Sequence, residues 1–310
     1  MLSFVLLSAG LALFFLALLI SLVLTLSKAR VELPASEPSR VLASRLLASR
    51  AHNASSPTES IRSPREPAPR RPLCVCAGDS LTHGVVSVNY VDILARRLGD
   101  WDFSNAGINS ELAFNLADRL EPIIALDPEA VSVLIGTNDI NATFGLRTAL
   151  GYYALQHLPE RPNPLFYREN LTLIVRRLKR ETRARIALLS MPPIGEDRNH
   201  YAWLRTEEYA LIVREVAKAE EVEYLPLRER ICAYLESIPG STPLPFDKFA
   251  IAGARAGRAH LLFGKSLDEI SASNGFHVLV DGIHMNTHGA SIAADLIEGF
   301  LRSGERGKKA

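Results

Sequence analysis

Four short segments of this 310-residue chain hold side chains able to do chemistry together. In Gly78-Asp79-Ser80-Leu81-Thr82-His83-Gly84, Ser80 follows a glycine and an acid at what reads as a strand-to-helix turn. A serine hydroxyl becomes a nucleophile only when a base takes its proton. The base can come from Asp281-Gly282-Ile283-His284, where a carboxylate three residues from an imidazole can accept its Nδ1–H and leave Nε2 free for the serine proton. Charge developing on a substrate oxygen needs donors. Ser80 N–H, the Gly107 N–H in Asn105-Ala106-Gly107-Ile108-Asn109 and the Asn138 amide in Gly136-Thr137-Asn138-Asp139 are of the right type. Each segment alone has a plainer reading: a capped turn, a turn glycine, an Asx turn and a surface loop. Ser80 is not in a G-x-S-x-G elbow, because Thr82 takes the last glycine position.

The elements around these segments alternate. Leu73–Ala77, Trp101–Asn105, Ala130–Ile135, Arg185–Ser190 and Val222–Leu225 read as strands. Val88–Leu98, Phe166–Arg183, Tyr201–Glu221 and Thr287–Leu301 have helical periodicity. Repeated β-α units predict a parallel sheet with helices on both faces, and in such a sheet functional residues sit beyond the carboxyl ends of the strands. Residues 227–275 fit no simple unit and read as a helix-loop insertion near the site.

Before this domain, Ser3–Leu26 is apolar and uncharged, long enough to span a bilayer as a helix. The expectation is a single-pass membrane protein with residues 1–27 as anchor, 28–72 as a Pro/Arg-rich linker, 73–303 as the catalytic domain and 304–310 as a basic tail. A long signal peptide is the alternative. The linker carries nine Lys/Arg against four Glu, which suits an anionic membrane surface rather than nucleic acid. Sidedness stays open: Lys28, Arg30, Arg40 and Arg45 argue for a cytoplasmic flank, and the sequons at Asn53, Asn141 and Asn170 for a secretory one.

Other side chains read as structural. Cys74, Cys76 and Cys232 form no disulfide framework and no zinc spacing, and read as buried apolar groups. His83 lacks an acidic partner at matching spacing, His288 begins a helix, and Asp79 and Asp139 bond local backbone. No metal-ligand cluster or phosphate-cradling loop is present in the sequence, so no cofactor is expected.

Taken together, Gly78-Asp79-Ser80-Leu81, Gly107 in Asn-Ala-Gly, Gly136-Thr137-Asn138-Asp139 and Asp281-x-x-His284 resemble the four blocks of the SGNH/GDSL hydrolase family, over about residues 73–303. The resemblance implies a three-layer α/β/α sandwich with a flavodoxin-like parallel five-stranded sheet. It implies Ser80 as nucleophile, His284 as acid/base, Asp281 as its orienter, and Ser80, Gly107 and Asn138 as the oxyanion hole. Ser190-Met191-Pro192-Pro193-Ile194-Gly195 looks like a pocket-shaping family feature. The implied activity is carboxylic ester hydrolysis. The substrate would be a small-molecule or lipid ester, such as a lysophospholipid. Carbohydrate O-deacetylase and acyltransferase are alternatives within the fold, and a non-catalytic membrane-tethered binding module is an alternative outside it.

Overall fold

The computed structural model describes residues 70–240 and 243–306. The expected membrane span, the linker as far as Pro69 and the Asn53 sequon lie outside the described residues. No helix among the described residues is long and apolar enough to cross a membrane.

Five parallel strands form one sheet in the order β2-β1-β3-β4-β5, the flavodoxin-like order. They are β1 (Leu73–Gly78), β2 (Asp102–Gly107), β3 (Ala130–Leu134), β4 (Arg185–Leu189) and β5 (Glu223–Leu225). The helices are α1 (Ser80–His83), α2 (Tyr90–Arg97), α3 (Ala113–Asp118), α4 (Glu121–Ile124), α5 (Thr137–Asn141), α6 (Leu146–Gln156), α7 (Pro164–Glu181), α8 (Tyr201–Ala219), α9 (Leu227–Ser237), α10 (Phe249–Phe263), α11 (Leu267–Ser273) and α12 (Thr287–Arg306). Every residue of β3 is buried, and so is all of β1 after Leu73, so both faces of the central sheet are covered. On one set of helices α3 and α8 pack against α7; on another α2 and α9 pack against α12.

Local chemistry sets the helix ends. Asn163 accepts N–H bonds from Leu165 and Phe166, and Pro164 takes the first turn of α7, where a missing N–H costs nothing. Asn89 caps α2 in the same way, so that helix starts at Tyr90 rather than at Val88. The last helix runs on to Arg306, past the expected boundary with a basic tail. Residues 227–275 resolve into α9, α10 and α11, with Phe246–Lys248 forming a 3₁₀ turn before α10.

Register brings the site together. Gly78 at the end of β1 pairs with Gly107 of β2 and Leu134 of β3. The segments that follow these three residues therefore emerge side by side at the carboxyl edge.

Candidate active site

Ser80 opens the one-turn helix α1, whose start Asp79 caps by accepting from Leu81 N–H at 3.0 Å. Its Oγ lies 3.0 Å from His284 Nε2. His284 Nδ1 lies 2.8 Å from Asp281 Oδ2, and the other Asp281 oxygen accepts from Ile283 N–H (3.0 Å) and His284 N–H (2.9 Å). The three residues expected from the sequence thus form one hydrogen-bonded chain, although Ser80 and His284 are 204 positions apart. With Nδ1 turned to a carboxylate, Nε2 is the atom left to accept the serine proton. Ser80 keeps 8% of its surface open, and Asp281 is buried.

Electrostatics follow from this packing. Burial opposes charge on His284, but the Asp281 carboxylate outweighs it through attraction and hydrogen bonding, with a smaller push from Asp79, so the imidazole is held above its ordinary range. Burial pushes the Asp281 carboxyl up. His284 and the two backbone N–H groups outweigh that and hold it below the usual range.

The expected oxyanion donors are placed unequally. Asn138, at the start of α5, is fixed at both ends of its amide: Nδ2 donates to Glu111 O (2.9 Å) and Oδ1 accepts from Tyr152 of α6 (2.7 Å). That leaves one N–H on Nδ2. Gly107, expected as a second donor, has its N–H engaged. Its N–H donates to Asn105 Oδ1 at 3.0 Å, an Asx-type closure two residues back. Its lack of a side chain serves close packing, because a Cβ there would lie 2.3 Å from His83 N and 2.8 Å from Asp79 O. Three residues on, Ser110 holds φ +65°, a conformation rare outside glycine. Its N–H donates to no partner among the described hydrogen bonds. Sequence reading missed Ser110 because nothing in a serine announces a left-handed backbone.

Two supports were also invisible in the sequence. Glu196, just after β4, accepts from the backbone N–H groups of His277, Val278 and Leu279 at 2.9–3.0 Å. Beside it, Gly195 N–H donates to Gly282 O at 2.7 Å. In the segment from Ser190 to Gly195, expected to shape the pocket, it is Gly195 that together with Glu196 clamps the loop that carries Asp281 and His284. Under the strand ends, Arg119 pairs with Glu111 (2.7 Å) and donates to Ala106 O (2.9 Å) and Gly78 O (3.3 Å). A carboxylate collecting N–H groups 81 or more positions away leaves no local pattern.

Asp79 and Asp139 are fully buried. Asp139 bonds its own backbone N–H, as expected, and also accepts from Ala113 N–H at the start of α3 (3.1 Å). Burial pushes each up to about 7, against the pull of those N–H bonds. The cysteines are free and buried. His288 is in the first turn of α12, its ring 4.0 Å from that of Tyr234. Among the described residues no group of His, Cys, Asp and Glu could hold a metal ion.

A parallel sheet with a linked serine, histidine and aspartate at its carboxyl edge is the frame of an α/β ester hydrolase. Residues 76–291 match the model of the GDSL-like Lipase/Acylhydrolase family, and the chain belongs to that family. It is a carboxylic ester hydrolase, which removes the non-catalytic alternative. No curated protein matches it. Solved structures similar in fold include Axe2, an acetylxylan esterase from Geobacillus stearothermophilus (18% identity, TM-score 0.52, 74% of this chain and 93% of that one). Others are LAE5, an α/β hydrolase enzyme from the metagenome of Lake Arreo, Spain (19%, TM-score 0.51, 73% and 93%), and the acetyl xylan esterase AlAXEase (16%, TM-score 0.51, 74% and 99%).

Proposed function

We propose that this hydrolase works through an acyl-enzyme on Ser80. The observation that carries the reading is the unbroken chain Ser80 Oγ–His284–Asp281 Oδ2 at 3.0 and 2.8 Å. Ser80 Oγ attacks the ester carbonyl carbon while its proton passes to His284 Nε2. The tetrahedral intermediate collapses, His284 returns the proton to the departing alkoxide, and the acyl group stays on Ser80. Water, deprotonated by His284, then releases the acid and restores the serine. Asp281 remains ionised and holds the imidazolium.

The oxyanion falls to Ser80 N–H, the remaining N–H of Asn138 Nδ2, and Ser110 N–H in place of Gly107. Ser110 is favoured because its neighbour Glu111 holds Asn138 through its carbonyl, whereas the Gly107 N–H is already bonded. Catalytic mutants of Axe2 replace a Ser, an Asp and a His, the last two spaced as Asp281 and His284 are, which supports the same roles.

Ser80→Ala is expected to abolish turnover of p-nitrophenyl acetate and labelling by a fluorophosphonate probe. Undiminished turnover in that variant sinks the assignment.

Two substrate readings have their own support. A lipid ester such as a lysophospholipid suits the apolar Ser3–Leu26 segment and the basic tether beside it. An O-acetylated carbohydrate suits the likeness to acetylxylan esterases and an aromatic wall. His200, Tyr201 and Phe246 lie ring against ring at 4.3–5.4 Å, beside a cavity of about 550 Å³ that touches His277 of the loop ahead of Asp281 but is lined by none of Ser80, Asp281 and His284. A panel of p-nitrophenyl esters of rising chain length, with acetylated xylo-oligosaccharides and lysophosphatidylcholine, separates them. Added glycerol or sugar acceptors test for acyl transfer to an alcohol in place of water.

A further inference from the structure

We infer that the outer face of α10 and the groove between α10 and α11 form a docking surface for an anionic phospholipid bilayer. An exposed helix stripe is ordinarily polar. Here the sequence of α10 from Phe249 to Phe263 contains no acidic residue, no amide and no hydroxyl side chain. Its solvent-facing residues Ile251, Ala254, Arg255, Arg258, Leu261 and Leu262 recur at helical spacing, so the water-facing stripe is apolar and basic. Leu261 is 54% exposed, and Leu262 and Phe263 are 71% exposed. These three form a bulky tip where Gly264 ends the helix in a left-handed turn.

Arg97, Arg176, Arg177, Arg205, Arg214 and Arg302 each meet a carboxylate. Among the described ion pairs and hydrogen bonds, Arg255 and Arg258 have no partner. Beside them, a groove of about 650 Å³ is lined by apolar Ile251, Ala252, Ala256 and Ile270 and by the cations Lys248, Arg255 and Lys265, with Glu269 as its acid and Ser273 and Asn274 at its polar end. Cations over an apolar floor match phosphate headgroups over acyl chains, the pattern of a helix lying in the interfacial plane. A bilayer is favoured over a second protein because the same chain carries an uncharged segment of membrane-spanning length within about 46 residues of the domain. The inner face of α10 packs on the catalytic loop: a Cβ on Gly253 would lie 3.1 Å from Asp281 Oδ2. The docked face and the catalytic loop are thus opposite sides of one helix. The inference goes beyond the ester-hydrolase reading and does not depend on it.

The test uses the full chain with Phe263→Cys labelled by an environment-sensitive fluorophore; the three native cysteines are buried and stay unlabelled. It is reconstituted into phosphatidylcholine vesicles with or without phosphatidylglycerol. With phosphatidylglycerol the label is expected to shift to shorter wavelength and to be quenched by brominated lipid. Arg255→Gln with Arg258→Gln should weaken the inserted state about 25-fold, at roughly 1 kcal/mol for each cation near an anionic surface. Turnover of p-nitrophenyl acetate should persist, and so report an intact fold. A label equally open to aqueous iodide in detergent and in both vesicles overturns the proposal. A shift that follows protein concentration and not lipid overturns it in favour of a second copy of the chain. Loss of turnover in the unsubstituted chain, with the lipid shift retained, would count against the esterase mechanism alone.

Discussion

His284 is subject to opposed forces, and their balance sets a measurable pH. Burial disfavours its charge and Asp281 favours it, with the net result above the ordinary histidine range. As general base it must be neutral, so kcat/KM for p-nitrophenyl acetate should rise with pH through a midpoint above about 6.5. In Asp281→Asn that limb should fall to lower pH and the rate by about 10³–10⁴-fold, because the amide fixes the wrong tautomer. An acid limb unmoved in the variant would mean that Asp281 does not set the base.

Asp139 makes the opposite kind of statement. Its carboxyl lies at about 7 in the folded chain against 3.8 for an ordinary aspartate. The folded state therefore holds the proton more tightly than the unfolded one. The stability this gives is complete below about 4 and is lost as pH rises through about 7. Asp139→Asn keeps an oxygen for Ala113 N–H and removes the titration. Relative to the natural protein its Tm should be higher at pH 8 than at pH 5, a change on the order of 2–4 kcal/mol. An equal Tm difference at both pH values would refute it.

At the scale of elements, the site depends on loops held from outside. Glu196→Ala leaves three buried-side N–H groups of the 277–279 segment without their carboxylate, so the loop bearing His284 should loosen. A fall in kcat of about 10²-fold, the cost of misplacing a catalytic group by an ångström or so, is expected with KM changed far less. Glu196→Gln should recover part of it. Gly282 lies at φ +96°, and a Cβ there would meet the Phe249 ring at 2.4 Å. Gly282→Ala should therefore destabilise by about 1–3 kcal/mol in urea unfolding.

This scale also shows what the sequence could reveal. The strands of the sheet were legible to within two residues, because a buried parallel strand is a continuous apolar run such as Cys74-Val75-Cys76-Ala77. The placing of Ser80, Asp281, His284 and Asn138 at the carboxyl edge was legible because each follows a strand end or precedes a helix. The one-turn helices α1, α4 and α5 were not, since four or five residues cannot display a period. The Gly107 N–H, expected as a donor to the oxyanion, is bonded to Asn105 Oδ1, and the left-handed backbone of Ser110, at φ +65°, has no signature in the sequence. The Glu196 clamp and the Glu111–Arg119 pair arise only once distant segments meet.

For the molecule as a whole, stability is graded across the sheet. β1 and β3 lie between other strands and are covered on both faces, whereas β2 is an edge strand with Asp102 and Asn105 exposed, and β5 is an edge of three residues. Amide exchange should be slowest at Val75, Val131 and Val133 and faster by at least about 10-fold along β5, where opening needs less of the core to separate. Uniform protection across all five strands would contradict that gradient.

The 204-position separation between Ser80 and His284 has a consequence for synthesis. The nucleophile emerges among the first residues of the domain and its base among the last. On the proposed mechanism a nascent chain carrying β1 through β5 has the serine without its base, and activity is expected only after the final segment leaves the ribosome and docks on Glu196. The appearance of activity would then mark completion of the fold, and a chain truncated before Asp281 is expected to carry the serine without the reaction.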